Sequence, residues 1–212
     1  MSGERIYVYK VYERFWHWSQ AALIIVLAIT GFEIHGSYDL LGFKRAVGVH
    51  TFVAWTLLVI WAFTIFWQFT TDEWRQYLPT LKNVDAMIRY DVIGIFKDVP
   101  HPFRKTVVKK HNPLQRLAYL ALLAVISPIL WGSGLLYLFY AEWPLLGLDR
   151  WLDLETVAVL HTLGAYLITA FFFIHVYLTT TGHTVFAHIK AMLTGWEDVH
   201  EPHGGPEKSV SR

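Results

Sequence analysis

The 212-residue chain contains no cysteine. That absence excludes disulfides, iron–sulfur ligation, zinc–thiolate sites and the Cys-x-x-Cys-His attachment of c-type haem. Charge is scarce as well: Asp, Glu, Lys and Arg make up 17% of the chain, against roughly 25% in a soluble domain, and the net charge is +1. A chain so balanced offers nothing to nucleic acid. There is no internal repeat and no low-complexity tract. The N-terminus has no small-residue processing site before its first apolar run, so that run is read as a retained transmembrane helix.

Apolar and aromatic residues fill the space, at 54% and 17% of the chain, with positive mean hydropathy. Four runs, at about 15–33, 47–69, 114–139 and 154–179, are long enough to cross a bilayer as helices. Trp and Tyr crowd their ends, as rings at the headgroup level do. The reading is an all-α integral membrane four-helix bundle with short interfacial helices, a single domain over 1–196 and a polar tail over 197–212. Pro128 lies inside the third run and predicts a kink. Val84, Ile88, Val92 and Ile95 recur at helical spacing in the long second connection and predict a short amphipathic helix there. The stretch 183–196 predicts a second.

Lysine and arginine are distributed unevenly. Arg5, Lys10 and Arg14 precede the first run, and eight more, from Arg75 to Lys110, lie between the second and third. The other two connections hold only Lys44, Arg45 and Arg150. The positive-inside rule then puts both termini and the long connection in the cytoplasm.

Histidine, with eleven copies, must carry any metal chemistry that side chains perform. His161 and His175 lie fourteen residues apart in the fourth run, which brings them to within about 40° of one helix face and roughly 21 Å apart along the axis. An ionisable residue in hydrocarbon is by default functional. With the orientation fixed, His17 falls at the inner end of the first helix and His50 at the outer end of the second. Four histidines thus sort into two levels, His17 with His175 inside and His50 with His161 outside. Two imidazoles facing across a bundle, with iron between them, make a low-spin haem site for electron transfer, because no coordination position stays open. The expectation is two b-type haems on these ligands. Gly31, Gly48 and Gly164 lie near the outer level, where they serve either a flat macrocycle or close helix packing. Arg14, Lys44 and Arg45 flank the two levels and serve either haem propionates or orientation. His101, His111, His183, His188, His200 and His203 fall in connections or the tail.

Arg14-Phe-Trp-His17-Trp, Thr30-Gly31, Gly48-x-His50 and the His161/His175 pair together resemble the dihaem cytochrome b subunits of bacterial respiratory complexes, a cytochrome b561-like group. Its members anchor nickel-iron hydrogenases, formate dehydrogenases and thiosulfate-reductase-type enzymes, and the long second connection is most similar to the last of these. Lys110-His-Asn112-Pro113-Leu-Gln115-Arg116 resembles the Asn-Pro-x-Gln segment beside that family's quinone site. The resemblance spans about 12–195. It implies the bacterial cytoplasmic membrane, a quinone reacting near the inner haem, and a periplasmic redox subunit of iron–sulfur or multihaem type at the outer one.

The quinone is then expected between the start of the third helix and the His17/His175 level. Asn112 and Gln115 offer amide donors and acceptors there, and His111 and His183 titrate near neutrality and can pass its protons. Pro113 suits a first helical turn, which makes Asn112 equally a candidate N-cap, while Gln115 is given no structural task. The resulting function is electron transfer between the quinone pool and a periplasmic partner. The rival is a proton-coupled transporter or channel relaying protons through intramembrane histidines. That rival needs further buried ionisable residues along a path, for which Glu33 is almost the only candidate, and broken helices in matching repeats.

Overall fold

The structure is a computed structural model, and it describes residues 4–94, 97, 110–181 and 184–199. Stretches of 24 to 28 residues with almost no charge satisfy their backbone internally, as a bilayer requires, by forming helices: α1 (Val11–Ile34), α2 (Phe43–Thr70), α4 (Pro113–Leu138) and α6 (Leu154–Thr179). At 1.5 Å per residue each is about 36–42 Å long, enough to cross with some tilt. Between them lie α3 (Val84–Val92) and the single turn α5 (Trp143–Leu146), and α7 (Ala187–Thr194) follows.

Each crossing begins with a side chain that satisfies free backbone N–H groups. The Lys10 N–H donates to Glu13 Oε2 at 2.7 Å at the head of α1. Glu33 Oε1 accepts from the N–H groups of Leu40, Leu41 and Gly42, closing the turn into α2. Asp153 caps α6 by accepting from the Thr156 N–H at 2.7 Å. At the head of α4 the Asn112 side chain accepts from the Gln115 N–H at 2.8 Å, and Gln115 Oε1 accepts from the Asn112 N–H at 3.0 Å. Pro113 occupies the first turn, where its missing N–H costs nothing.

Pro128 has the expected effect by a specific route. The helix widens to a π turn over Leu122–Ile126, with the Ser127 N–H reaching the Leu122 carbonyl five residues back. Proline supplies no N–H to the carbonyl four residues before it and its ring collides there, and the wider turn relieves both.

The crossings form two hairpins. α1 packs along α2 and α4 along α6, and the hairpins meet where α1 approaches α6, with Phe32 edge-on to Tyr166 at 5.7 Å. Trp61 of α2 also touches Trp131 of α4. Within the second hairpin the backbones close on Gly164: a Cβ there would lie 2.9 Å from Leu130 Cδ2 and 3.1 Å from Ile129 Cγ2. Of the two uses open to Gly164, packing is the one it serves.

An even number of crossings returns both termini to one end, where the chain pairs with itself. Strand β1 (Glu4–Tyr7) runs antiparallel to β2 (Trp196–Val199), with Tyr7 opposite Trp196 and Glu4 opposite Val199. Gly195 makes this possible, since its φ is +88° and a Cβ would sit 2.7 Å from the Tyr9 carbonyl oxygen. The pairing carries the described fold through Val199. In α3 the buried anchor is Met87, while Ile88 and Val92 face outward, as an interfacial helix requires. Ile95 lies outside the described residues.

Gly164→Val is expected to push α4 from α6 and lower stability by about 1–3 kcal/mol, read as a fall in thermal midpoint in detergent. Gly132→Ala, where a Cβ meets nothing within 4 Å, should leave the midpoint unchanged or raise it slightly.

Candidate haem sites

The histidines meet across the seam between the hairpins. His17 of α1 faces His175 of α6 with ring centroids 6.0 Å apart, and His50 of α2 faces His161 of α6 at 6.3 Å. Two metal–nitrogen bonds of about 2.0–2.1 Å, plus roughly 1.1 Å from each ring nitrogen to its centroid, add to about 6.3 Å. The spacing fits one metal ion between each pair. Among the described residues no group of three or more His, Cys, Asp or Glu is placed to hold a metal ion.

The His50–His161 pair is held by a matched set of neighbours. The Thr30 hydroxyl donates to the Val26 carbonyl at 2.8 Å and lies 3.0 Å from His50 Nδ1. Its only proton is thereby committed, so Oγ1 accepts from Nδ1–H, and His50 Nε2 is left as a bare lone pair. Ser133 repeats this on α4: its hydroxyl donates to the Ile129 carbonyl and lies 3.0 Å from His161 Nδ1. Both imidazoles are thus set in the tautomer that a metal takes through Nε2. The residue after each hydroxyl is glycine. A Cβ on Gly31 would stand 3.3 Å from His50 Cε1, and one on Gly134 would stand 3.2 Å from His161 Cε1. The space near Gly48 is open.

The His17–His175 pair is held by aromatic rings, His17 edge-on to Trp18 at 5.1 Å and His175 stacked on Phe171 at 5.9 Å. Three buried nitrogens nearby, His17 Nδ1, Arg14 Nε and Trp16 Nε1, have no hydrogen-bond partner among the described residues. Acceptors such as propionate oxygens would satisfy them. Arg14 Nη1 donates to the Leu193 carbonyl, which ties α1 to α7.

The model of the prokaryotic cytochrome b561 family matches residues 8–195. The chain is also 32% identical over 205 residues to "Putative cytochrome YdhU" of Escherichia coli strain K12, covering 92% of this chain and 75% of that protein. No solved structure matches. The chain belongs to the prokaryotic cytochrome b561 family. It is a bacterial membrane cytochrome b, and it binds b-type haem and transfers electrons.

The remaining expected residues of this cytochrome b gather at the end that carries the termini. Asn112 and Gln115 cap each other reciprocally, so Gln115 has a structural task that was not expected of it. Their oxygens are engaged, and their amide NH2 groups remain as donors. The His111 ring lies 5.0 Å from both Tyr77 and Tyr119. His183, His101, His200 and His203 lie outside the described residues. His188 Nδ1 stands 3.9 Å from Glu197 Oε1. Glu33, the residue a proton-carrying rival would need, is spent on three backbone N–H groups at a turn.

Ser133 and Gly134 were missed in the sequence, although a signal existed. They repeat Thr30-Gly31 on a second helix that starts from the same end of the bundle, so a hydroxyl followed by glycine recurs at the same depth. Thr30→Val and Ser133→Ala are each expected to weaken haem retention at the His50–His161 level by about 10–100-fold. Haem titration into the stripped protein measures this. Thr30→Ser should bind as the wild type does, and equal retention in Thr30→Val would remove the hydroxyl from the account.

Proposed function

We propose that this cytochrome b carries two haems, one on His17 and His175 and one on His50 and His161. In this reading it moves electrons between quinone at the end bearing the termini and a redox subunit at the other end. The observation that carries it is the meeting of four histidines as two pairs at 6.0 and 6.3 Å across one seam. A haem held by both imidazoles of a pair would supply one-electron transfer rather than substrate chemistry. The chain's own part is to fix both imidazoles, exclude water and hold the two levels one above the other. The terminal reaction then belongs to a periplasmic partner of iron–sulfur or multihaem type.

The lysine and arginine distribution supports cytoplasmic termini in the inner membrane of a bacterium. It follows that the His17–His175 level is the inner one. The quinone position is supported by the free amide NH2 groups of Asn112 and Gln115 at the head of α4, with His111 among Tyr77 and Tyr119 beside them. Capping residues keep such donors in place because their oxygens are already committed.

His175→Ala is expected to lose the inner haem and retain the outer one, and His50→Ala to do the reverse. Pyridine haemochrome assay with redox titration reads both, and full haem content in either variant would end the pairing.

The amides can be tested without breaking the cap. Asn112→Asp and Gln115→Glu retain the capping oxygens and lose only the NH2 donors. Each is expected to keep both haems and slow their reduction by menadiol about tenfold, with dithionite reduction unchanged. Wild-type rates in both variants would remove these residues from the quinone site.

A further inference from the structure

Four charges are joined end to end at the same end of the bundle, and the histidine pairs use none of them. Lys110 Nζ donates to Glu13 Oε1 at 2.8 Å, to Glu13 Oε2 at 3.1 Å and to Glu73 Oε2 at 3.1 Å. Glu73 Oε1 in turn lies 2.6 Å from Lys10 Nζ. The side chains of Lys110 and Glu13 are 3% and 8% exposed, that of Glu73 11%, and that of Lys10 52%. The set therefore runs from the interior to water without a gap. Its inner member, Glu13, lies four residues before His17, one helical turn away on the same face. Lys110 directly precedes the His111-Asn112-Pro113-Leu114-Gln115 segment.

The groups around it are ionisable too. Burial, with the Glu197 and Glu13 carboxylates, pushes the Tyr9 hydroxyl well above its usual range. Burial, with Tyr119, Glu13 and Glu73 nearby, does the same to Tyr77. Burial works against ionisation of Glu73, but hydrogen bonds from Lys10 and Lys110 outweigh it and hold that carboxyl below its usual range. The two tyrosines thus stay protonated, and Glu73 is held as the carboxylate. A clamp alone does not explain this set. Buried ion pairs are often no more stabilising than apolar residues of the same volume, because desolvation offsets their attraction. Nor does the set serve a transmembrane path, since it occupies one end only.

We propose that Glu13, Lys110, Glu73 and Lys10 form the proton path between the quinone position and the aqueous phase. The proposal rests on the quinone reading above. Oxidation of a quinol breaks two O–H bonds and yields quinone, two electrons and two protons. The electrons leave singly for the haem iron of the His17–His175 level. Each proton enters at the Glu13 carboxylate, Lys110 hands one on to Glu73, and Lys10 releases one to water. Quinone reduction runs the same steps backwards.

Glu73→Gln, and Lys10→Gln at the exposed mouth, test it in the haem-loaded protein. Both variants are expected to keep two haems and the wild-type KM for menadiol, while kcat for haem reduction falls about tenfold or more. Azide or formate, as small proton carriers, should restore the rate. In the redox-difference infrared spectrum, a carboxyl band of the wild type should disappear in Glu73→Gln. Unchanged rates in both variants would overturn the path, as would a loss that no small acid rescues, which would mark the set as a clamp. Should Glu73→Gln fail to hold haem, Lys10→Gln decides alone. A wild-type protein that menadiol cannot reduce removes the quinone reading, and the path with it.

Discussion

A bare imidazole nitrogen inside a bilayer has no water to turn to, and here His50 and His161 each keep one while their rings face each other at 6.3 Å. Hydroxyls at Thr30 and Ser133 commit the Nδ1 protons of His50 and His161, which leaves Nε2 of both rings without a proton to share. Two lone pairs cannot satisfy each other, and a cation between them can. The hairpin arrangement serves this need. Helices pack tightly within each hairpin, as at Gly164 against Leu130, and the histidines reach across the seam between hairpins, where room for a flat cofactor does not compromise helix packing. The two levels differ in how the rings are held. Hydroxyl and glycine fix His50 and His161, whereas aromatic neighbours hold His17 and His175, close to the ionisable groups at the bundle end.

That difference follows the chemistry proposed for each level. In that proposal the His50–His161 rings need only fixed ligation for one-electron transfer. The His17–His175 level also exchanges protons, and Glu13, one turn before His17, is joined there to Lys110, Glu73 and Lys10. Electron and proton chemistry therefore meet at the end of the bundle where the chain carries most of its lysine and arginine.

Depth was legible in the sequence because helices are regular. A fourteen-residue spacing fixes His161 and His175 on one face, and the direction of each crossing fixes which of His17 and His50 each one meets. Pro128 announced a distortion for the same reason, although the π turn that absorbs it was not specified. The Asn112-x-x-Gln115 spacing was a readable capping pattern, and attention to the quinone role hid it. Contacts made by folding were not legible. Glu13 and Lys110 are 97 positions apart, and nothing local marks them as partners. Likewise β1 and β2 meet only because four crossings bring the termini together. The hydroxyl–glycine repeat at Ser133-Gly134 lies between these cases: local in form, but meaningful only once α4 is placed beside α6.

In the proposed arrangement each level ligates one iron through two imidazoles. Near-infrared magnetic circular dichroism of the oxidised, purified protein, combined with haem and protein quantification, reads this ligation. Two low-spin ferric haems per chain are expected, both with the charge-transfer band of bis-imidazole ligation. A single haem per chain, or a band from any other ligand pair, would rule the arrangement out.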